Sequence, residues 1–209
     1  MELRNLTVAD FAAITASDAP APGGGSVSAL AGTLAAALAE MVARLTVGRE
    51  KYAASQEQMD EIIQTIPPIR ERLLVAIDRD SSAFDQYMAA LSMPKSTDEE
   101  KEARKAAMQE GLKEAAKVPL EVAEAALSLM PSLEKAVTMG NPNAVTDGMV
   151  GTMMARTAVL GALFNVRVNL DSIKDQAFVE ELSAKTDVIQ REAMAWETKI
   201  LSQTTLSNI

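Results

Sequence analysis

Between Val27 and Leu45 the large apolar residues are Val27, Leu30, Leu34, Leu38, Met41 and Leu45, spaced three or four positions apart, and alanine and glycine fill most of the gaps. That spacing is the period of an α-helix. A helix so apolar on most sides is expected to lie centrally, its small residues letting neighbouring helices approach closely. The same periodicity recurs along nearly the whole chain. Strand signals are scarce: aromatic residues make up 3% of the sequence, and no stretch sustains an apolar-polar alternation.

Proline, glycine and short polar residues divide this helical pattern. A first short helix is expected from an N-cap at Thr7, ending in the Pro-Gly stretch from Asp18 to Gly25. A further helical region runs from about Arg49 towards Leu91, with an interruption or kink expected at Pro67 and Pro68. After MPK, Ser96 or Thr97 can cap a helix with acids in its first turn, which Pro119 should bend and Pro131 should end. The segment GNPNAVTDG opens a long apolar helix to about Leu170, and after DSIKD a closing helix reaches about Leu201. The expected architecture is all-α: one domain over residues 1–209, an antiparallel bundle of about five to seven helices. Its apolar faces exceed what a bundle of this size covers by itself, so a homodimer is expected.

The chain has 209 residues and no cysteine or histidine. Thiol nucleophiles, Cys or His zinc sites, imidazole acid-base catalysis and Ser-His-Asp triads are therefore excluded, and no metal site is expected. The net charge of −9 argues against broad nucleic-acid binding or adsorption to an anionic membrane. The N-terminus MELRNLTVADFAAITAS lacks the uninterrupted apolar centre of a signal peptide, and the nearly apolar run from Val27 ends at Glu40, short of a membrane span. A cytoplasmic protein is the expectation.

Chemistry has three candidate locations. Gly23, Gly24, Gly25 and Ser26 immediately precede the central helix, where free N–H groups and the dipole suit an anion; a tight turn serving helix packing is the alternative. Asp80 interrupts the stripe Leu73, Ile77, Asp80, Phe84, Tyr87 and Leu91, so a carboxyl sits where an apolar residue is expected. Burial would raise its pKa and make it a proton carrier, unless it simply bonds a backbone amide or a cation. Asp78 and Asp85 lie off this stripe and read as solvated. Asp147, Gly151, Met154, Ala158, Gly161 and Asn165 share one face of the later helix, with Asn169 one turn beyond. Polar ends on a small-residue floor suit a ligand carrying amides, although Asp147 could equally complement the helix dipole and the asparagines could tie helices together. The methionines read as core filler.

APGGGSVSALAGTLAAALAEMV, IPPIRERLLVAIDRDSSAFDQYM, LSMPKSTDEEK with LKEAAKVPLEVAE, and GNPNAVTDG with GALFNVRVNLDSIKD together resemble the cyclodeaminase/cyclohydrolase family of folate enzymes, in order from about Ala19 to Asp175. The resemblance implies an all-helical homodimer whose folate groove includes the dimer interface. It implies that Asp80, in an Asp-x-Asp-x-x-x-Phe stretch, carries the proton. Asp147 falls on the acid of the family's Ser-Asp step, with Thr146 in place of serine. Gly23, Gly24, Gly25, Ser26, Asn143, Asn165 and Asn169 fall on positions that line or shape the substrate site. No metal, and no cofactor beyond the tetrahydrofolate substrate, is implied. Nothing resembles the transferase half of the fused family members, so formimidoyl transfer would come from a separate formimidoyltransferase. The expected activity is conversion of 5-formimidoyltetrahydrofolate to 5,10-methenyltetrahydrofolate and ammonia; the alternatives are methenyltetrahydrofolate cyclohydrolase and a non-catalytic helical interaction module.

Overall fold

The structure, a computed structural model, describes residues 2–207. Its α-helices are α1 (Val8–Thr15), α2 (Gly24–Thr46), α3 (Gln56–Leu91), α4 (Asp98–Leu127), α5 (Met130–Met139), α6 (Val145–Leu170) and α7 (Gln176–Ser202), and no strand occurs among the described residues. Local chemistry sets the helix ends. The Thr7 hydroxyl accepts the Asp10 N–H to start α1, and Thr97 with Glu100 forms a reciprocal capping box at α4. Helix α3 runs without interruption through Pro67 and Pro68, and α4 continues through Pro119; tertiary packing on both sides outweighs the lost backbone donors. Pro131 falls in the first turn of α5, where its missing N–H costs nothing.

Helices α2, α3, α4 and α6 form a ring of antiparallel neighbours. On α2, Gly25 meets Asp80 and Gly32 meets Leu73 of α3, while Gly24 meets Asn165 and Leu38 meets Gly151 of α6. Arg79 and Glu121 join α3 to α4, and Asn169 of α6 bonds the Ala115 carbonyl of α4. Helix α7 lies antiparallel along α6, through Arg167–Asp187 and Arg156–Glu197, and α5 crosses the opposite end. A part-buried ion pair clamps α2 to α3, with Arg70 Nε 2.7 Å from the carboxylate of the buried Glu40.

Close approach through small residues is the basis of this packing. Ala29, Ala35, Ala36, Ala39 and Ala43 of α2 and Ala155, Ala158 and Ala162 of α6 are fully buried. Four of the six large residues of the Val27–Leu45 repeat point the other way: Val27, Leu34, Met41 and Leu45 are exposed, as are Val150, Met153, Phe164 and Val168 on α6. Both helices are long and apolar enough to cross a membrane by length and composition, yet their small-residue faces are core of the bundle. What they leave outside is a set of exposed apolar residues on each helix.

Candidate active site

At one end of the ring, the start of α2, the middle of α3, the centre of α4 and the last turns of α6 enclose a cavity of about 280 Å³. Its lining includes Gly23, Gly24, Gly25, Asp80, Asn165 and Asn169, six of the residues singled out in the sequence. Asp80 is the only ionisable side chain in that lining.

Helix α2 begins at Gly24, inside the glycine run, with Gly23 as its extended N-cap. Ser26 is therefore the third residue of the helix and not its cap. The three glycines are not equivalent. A Cβ on Gly25 would overlap the Asp80 carboxylate, one on Gly24 would sit 3.2 Å from Asn165 Nδ2, and one on Gly23 would meet nothing within 4 Å. Absence of a side chain at Gly25 is what lets a carboxylate from another helix rest on the first turn of α2.

Asp80 occupies the predicted position on the stripe, one turn beyond the buried Ile77 and two beyond the buried Leu73, where the bundle core gives way to the cavity. Its Oδ2 lies 2.9 Å from the Ser26 hydroxyl, and the Ser26 N–H also donates to the carboxylate. One of the unpaired amides at the start of α2 is thus satisfied by Asp80 itself. Burial pushes the Asp80 pKa above the ordinary carboxylate range, and the Ser26 hydrogen bonds oppose that shift without cancelling it. The result is an anchored carboxyl, open to the cavity, that binds a proton more readily than a solvated one.

Across the cavity, Asn165 Nδ2 donates to the Gly161 carbonyl at 2.8 Å, and Asn169 Nδ2 donates to the carbonyls of Asn165 and Ala115. Asn169 commits both amide hydrogens, one within α6 and one to α4, and Asn165 commits one within α6. Their carbonyl oxygens remain as acceptors for N–H groups of a ligand.

Ser26 is completely buried, so it shapes the site through Asp80 and does not line the cavity. Asn143 and Asp147 lie at the other end of α6; eighteen residues of helix separate Asp147 from Asn165, about 27 Å of rise. Asn143 is exposed and Asp147 half-buried. In the same motif Asn141 is the structural residue: it is buried, its N–H bonds Thr46 Oγ1, its side chain bonds the Leu45 carbonyl, and it accepts from the Tyr52 hydroxyl. The solvated reading of Asp78 is corrected. Asp78 accepts the Leu3 N–H and pairs with Arg4 at 3.5 Å, which pins the N-terminal segment to α3. Asp85 is exposed, as expected. Ala115 and Val168 of the lining carry no chemical signal in the sequence; only the helix pairing reveals them. No group of three or more Asp or Glu side chains placed to hold a metal ion occurs among the described residues.

Known proteins are similar to this chain in sequence and fold. A structure titled formiminotetrahydrofolate cyclodeaminase, from Thermotoga maritima, superimposes with a TM-score of 0.86 at 28% identity, covering 97% of each chain. A methenyltetrahydrofolate cyclohydrolase from Methylorubrum extorquens is 36% identical over 196 residues, 94% of each protein. A formimidoyltransferase-cyclodeaminase from Gallus gallus is 41% identical over 186 residues, 87% of this chain but 34% of that protein. This chain therefore spans about a third of the length of the fused animal relative and nearly all of the bacterial ones. The family described as Formiminotransferase-cyclodeaminase matches residues 7–188. A helical bundle alone would leave the lineage open, but with a match over that extent and relatives of this identity, the chain belongs to the formiminotransferase-cyclodeaminase family.

Proposed function

We propose that the protein is a formimidoyltetrahydrofolate cyclodeaminase in which Asp80 carries the proton. In this reaction N10 of the folate attacks the 5-formimidoyl carbon, the carbon-nitrogen bond to the departing amine breaks, and 5,10-methenyltetrahydrofolate and ammonia result. One proton leaves N10 and one reaches the departing nitrogen. A single carboxyl can take the first and deliver the second, contributing about 10²- to 10⁴-fold. The sole ionisable group in the cavity lining, its pKa raised by burial, is the observation that carries the reading. No electron changes hands, so the step requires no redox or group-transfer cofactor. Asn165 and Asn169 would orient the substrate through their free carbonyl oxygens, holding the two nitrogens of one molecule in attack geometry.

The proposal includes a homodimer. A volume of about 280 Å³ is at the low end of ligand sites, which run from about 300 Å³ upward, and fits one end of a folate. Val168 belongs to both the cavity lining and the exposed apolar face of α6, so a second copy on that face would wall the cavity mouth. A two-fold axis through the middle of the face runs the two α6 helices antiparallel and sets the Asn143–Asp147 end of one beside the Asn165 end of the other. That arrangement gives Asp147 and Asn143 access to substrate, which one subunit alone does not. Formimidoyl transfer would be the work of a separate formimidoyltransferase.

The end-to-end match to a cyclohydrolase favours a second reading, in which water attacks the methenyl carbon and the ring opens to 10-formyltetrahydrofolate. The test is to supply each folate to the purified protein and follow the methenyl chromophore. Its appearance with ammonia release establishes the deaminase. Loss faster than in buffer establishes the hydrolase, and no change with either refutes both and leaves a non-catalytic helical module.

A further inference from the structure

The Ser26 hydroxyl is completely buried and lies within hydrogen-bonding distance of two acceptors: the Ile77 carbonyl at 3.0 Å and Asp80 Oδ2 at 2.9 Å. It has one proton to give. The Ile77 carbonyl also accepts the i+4 bond of its own helix, so it keeps a partner whichever way the hydroxyl turns. We propose that Ser26 is the positioning residue for Asp80, a rotor whose single proton turns towards the carboxylate when Asp80 is charged and towards the Ile77 carbonyl when Asp80 is protonated. In the second state the acid O–H donates to Ser26 Oγ, so the carboxyl is hydrogen-bonded before and after it takes a proton. The exchange requires no more than a hydroxyl rotation. An acid that must cycle between charge states while largely buried otherwise loses its partner in one of them.

The surroundings leave this pair to itself. On α3, Asp78 is turned to Leu3 and Arg4, and Arg79 to Glu121 of α4. Helix α6 presents the uncharged Asn165 and Asn169, α4 presents Ala115, and the first turn of α2 carries no charge.

The inference rests on Asp80 being the proton carrier, so its test needs a readout that does not depend on turnover. The protein is labelled at aspartate Cγ, and the Asp80 signal, identified by its loss in Asp80→Asn, is titrated in wild type, Ser26→Ala and Ser26→Cys. Removing the donor costs the carboxylate more than the acid, because hydrogen bonds to charged groups are the stronger, so in Ser26→Ala the midpoint should rise by about one pH unit. Ser26→Cys, a weak donor of similar shape, should shift it in the same direction by less, and serves as the reading if the alanine variant misfolds. Turnover should fall about 10-fold in kcat with KM within about two-fold, because proton transfer and not binding is impaired. A structural role alone would lower the melting temperature and leave the midpoint in place. Unmoved midpoints in both variants overturn the inference. If wild type converts neither folate while the midpoints still move, the coupling stands and the functional reading falls.

Discussion

Replacing Gly25 by alanine tests the geometry of the site at one atom. The added Cβ would overlap the Asp80 carboxylate, which must retreat by roughly 1 Å to restore van der Waals separation. The backbone cannot yield easily, because Gly25 is buried in the first turn of α2 between α3 and α6. A displacement of about 1 Å in a positioned catalytic group costs on the order of 100-fold in rate. Gly24→Ala places its Cβ 3.2 Å from Asn165 Nδ2, a side-chain amide that can give by tenths of an ångström, so a loss of about 10-fold is expected. Gly23→Ala meets nothing within 4 Å and should turn over nearly as wild type. The assay is kcat/KM for methenyl formation or loss in the three variants, with circular dichroism confirming helix content. The reasoning is refuted if Gly25→Ala stays within about three-fold of wild type, or if Gly23→Ala is the worst of the three.

Asp80→Asn should lower kcat by at least about 100-fold with binding retained, measured by stopped turnover alongside substrate titration. The raised pKa of Asp80 means that folding favours its protonated form, so the cost to stability is absent below the ordinary carboxylate range, grows as pH rises from the ordinary value to the raised one, and is constant above it. The stability of Asp80→Asn relative to wild type should therefore increase across that window in denaturant titrations; a difference flat with pH would contradict the desolvated carboxyl. Asp78→Asn should cost about 1 kcal/mol and speed amide exchange in the N-terminal segment while sparing turnover, since it weakens the Leu3 and Arg4 contacts and nothing in the cavity. Met153→Glu puts a charge on the exposed face of α6 far from the cavity. It should yield a monomer by light scattering with turnover lost, and a fully active monomer would show that one subunit suffices.

Helix identity was legible because apolar periodicity and caps are local properties: Thr7, Thr97 and Asp175 each cap the helix that follows. Asp80 was legible because a charge on an apolar stripe is conspicuous at helical spacing. Three things were not. Periodicity marks the apolar face of α2 but cannot say whether the alanines or the leucines turn inward, since both are apolar; packing decides for alanine because it brings the helix backbones closer. Proline signals left open whether the helix stops at Pro67 and Pro68, and tertiary contacts carry α3 through them. The partnership of Ser26 with Asp80 spans 54 positions and depends on helix pairing that a linear reading does not contain. Asp78 illustrates the same limit in reverse, because its partners come from the N-terminal segment and not from its own helix.

The alanine seam between α2 and α6 has a mechanical consequence. Side chains such as leucine absorb a nearby change by switching rotamer, but alanine has none to switch. An added methyl at Ala35, Ala36 or Ala158 can therefore be accommodated only by sliding or parting whole helices. Gly24 and Asn165 meet at the end of that seam, so such a displacement arrives at the cavity undamped. The interior of this bundle acts as a rigid ruler, and its calibration is set by residues that never touch the substrate.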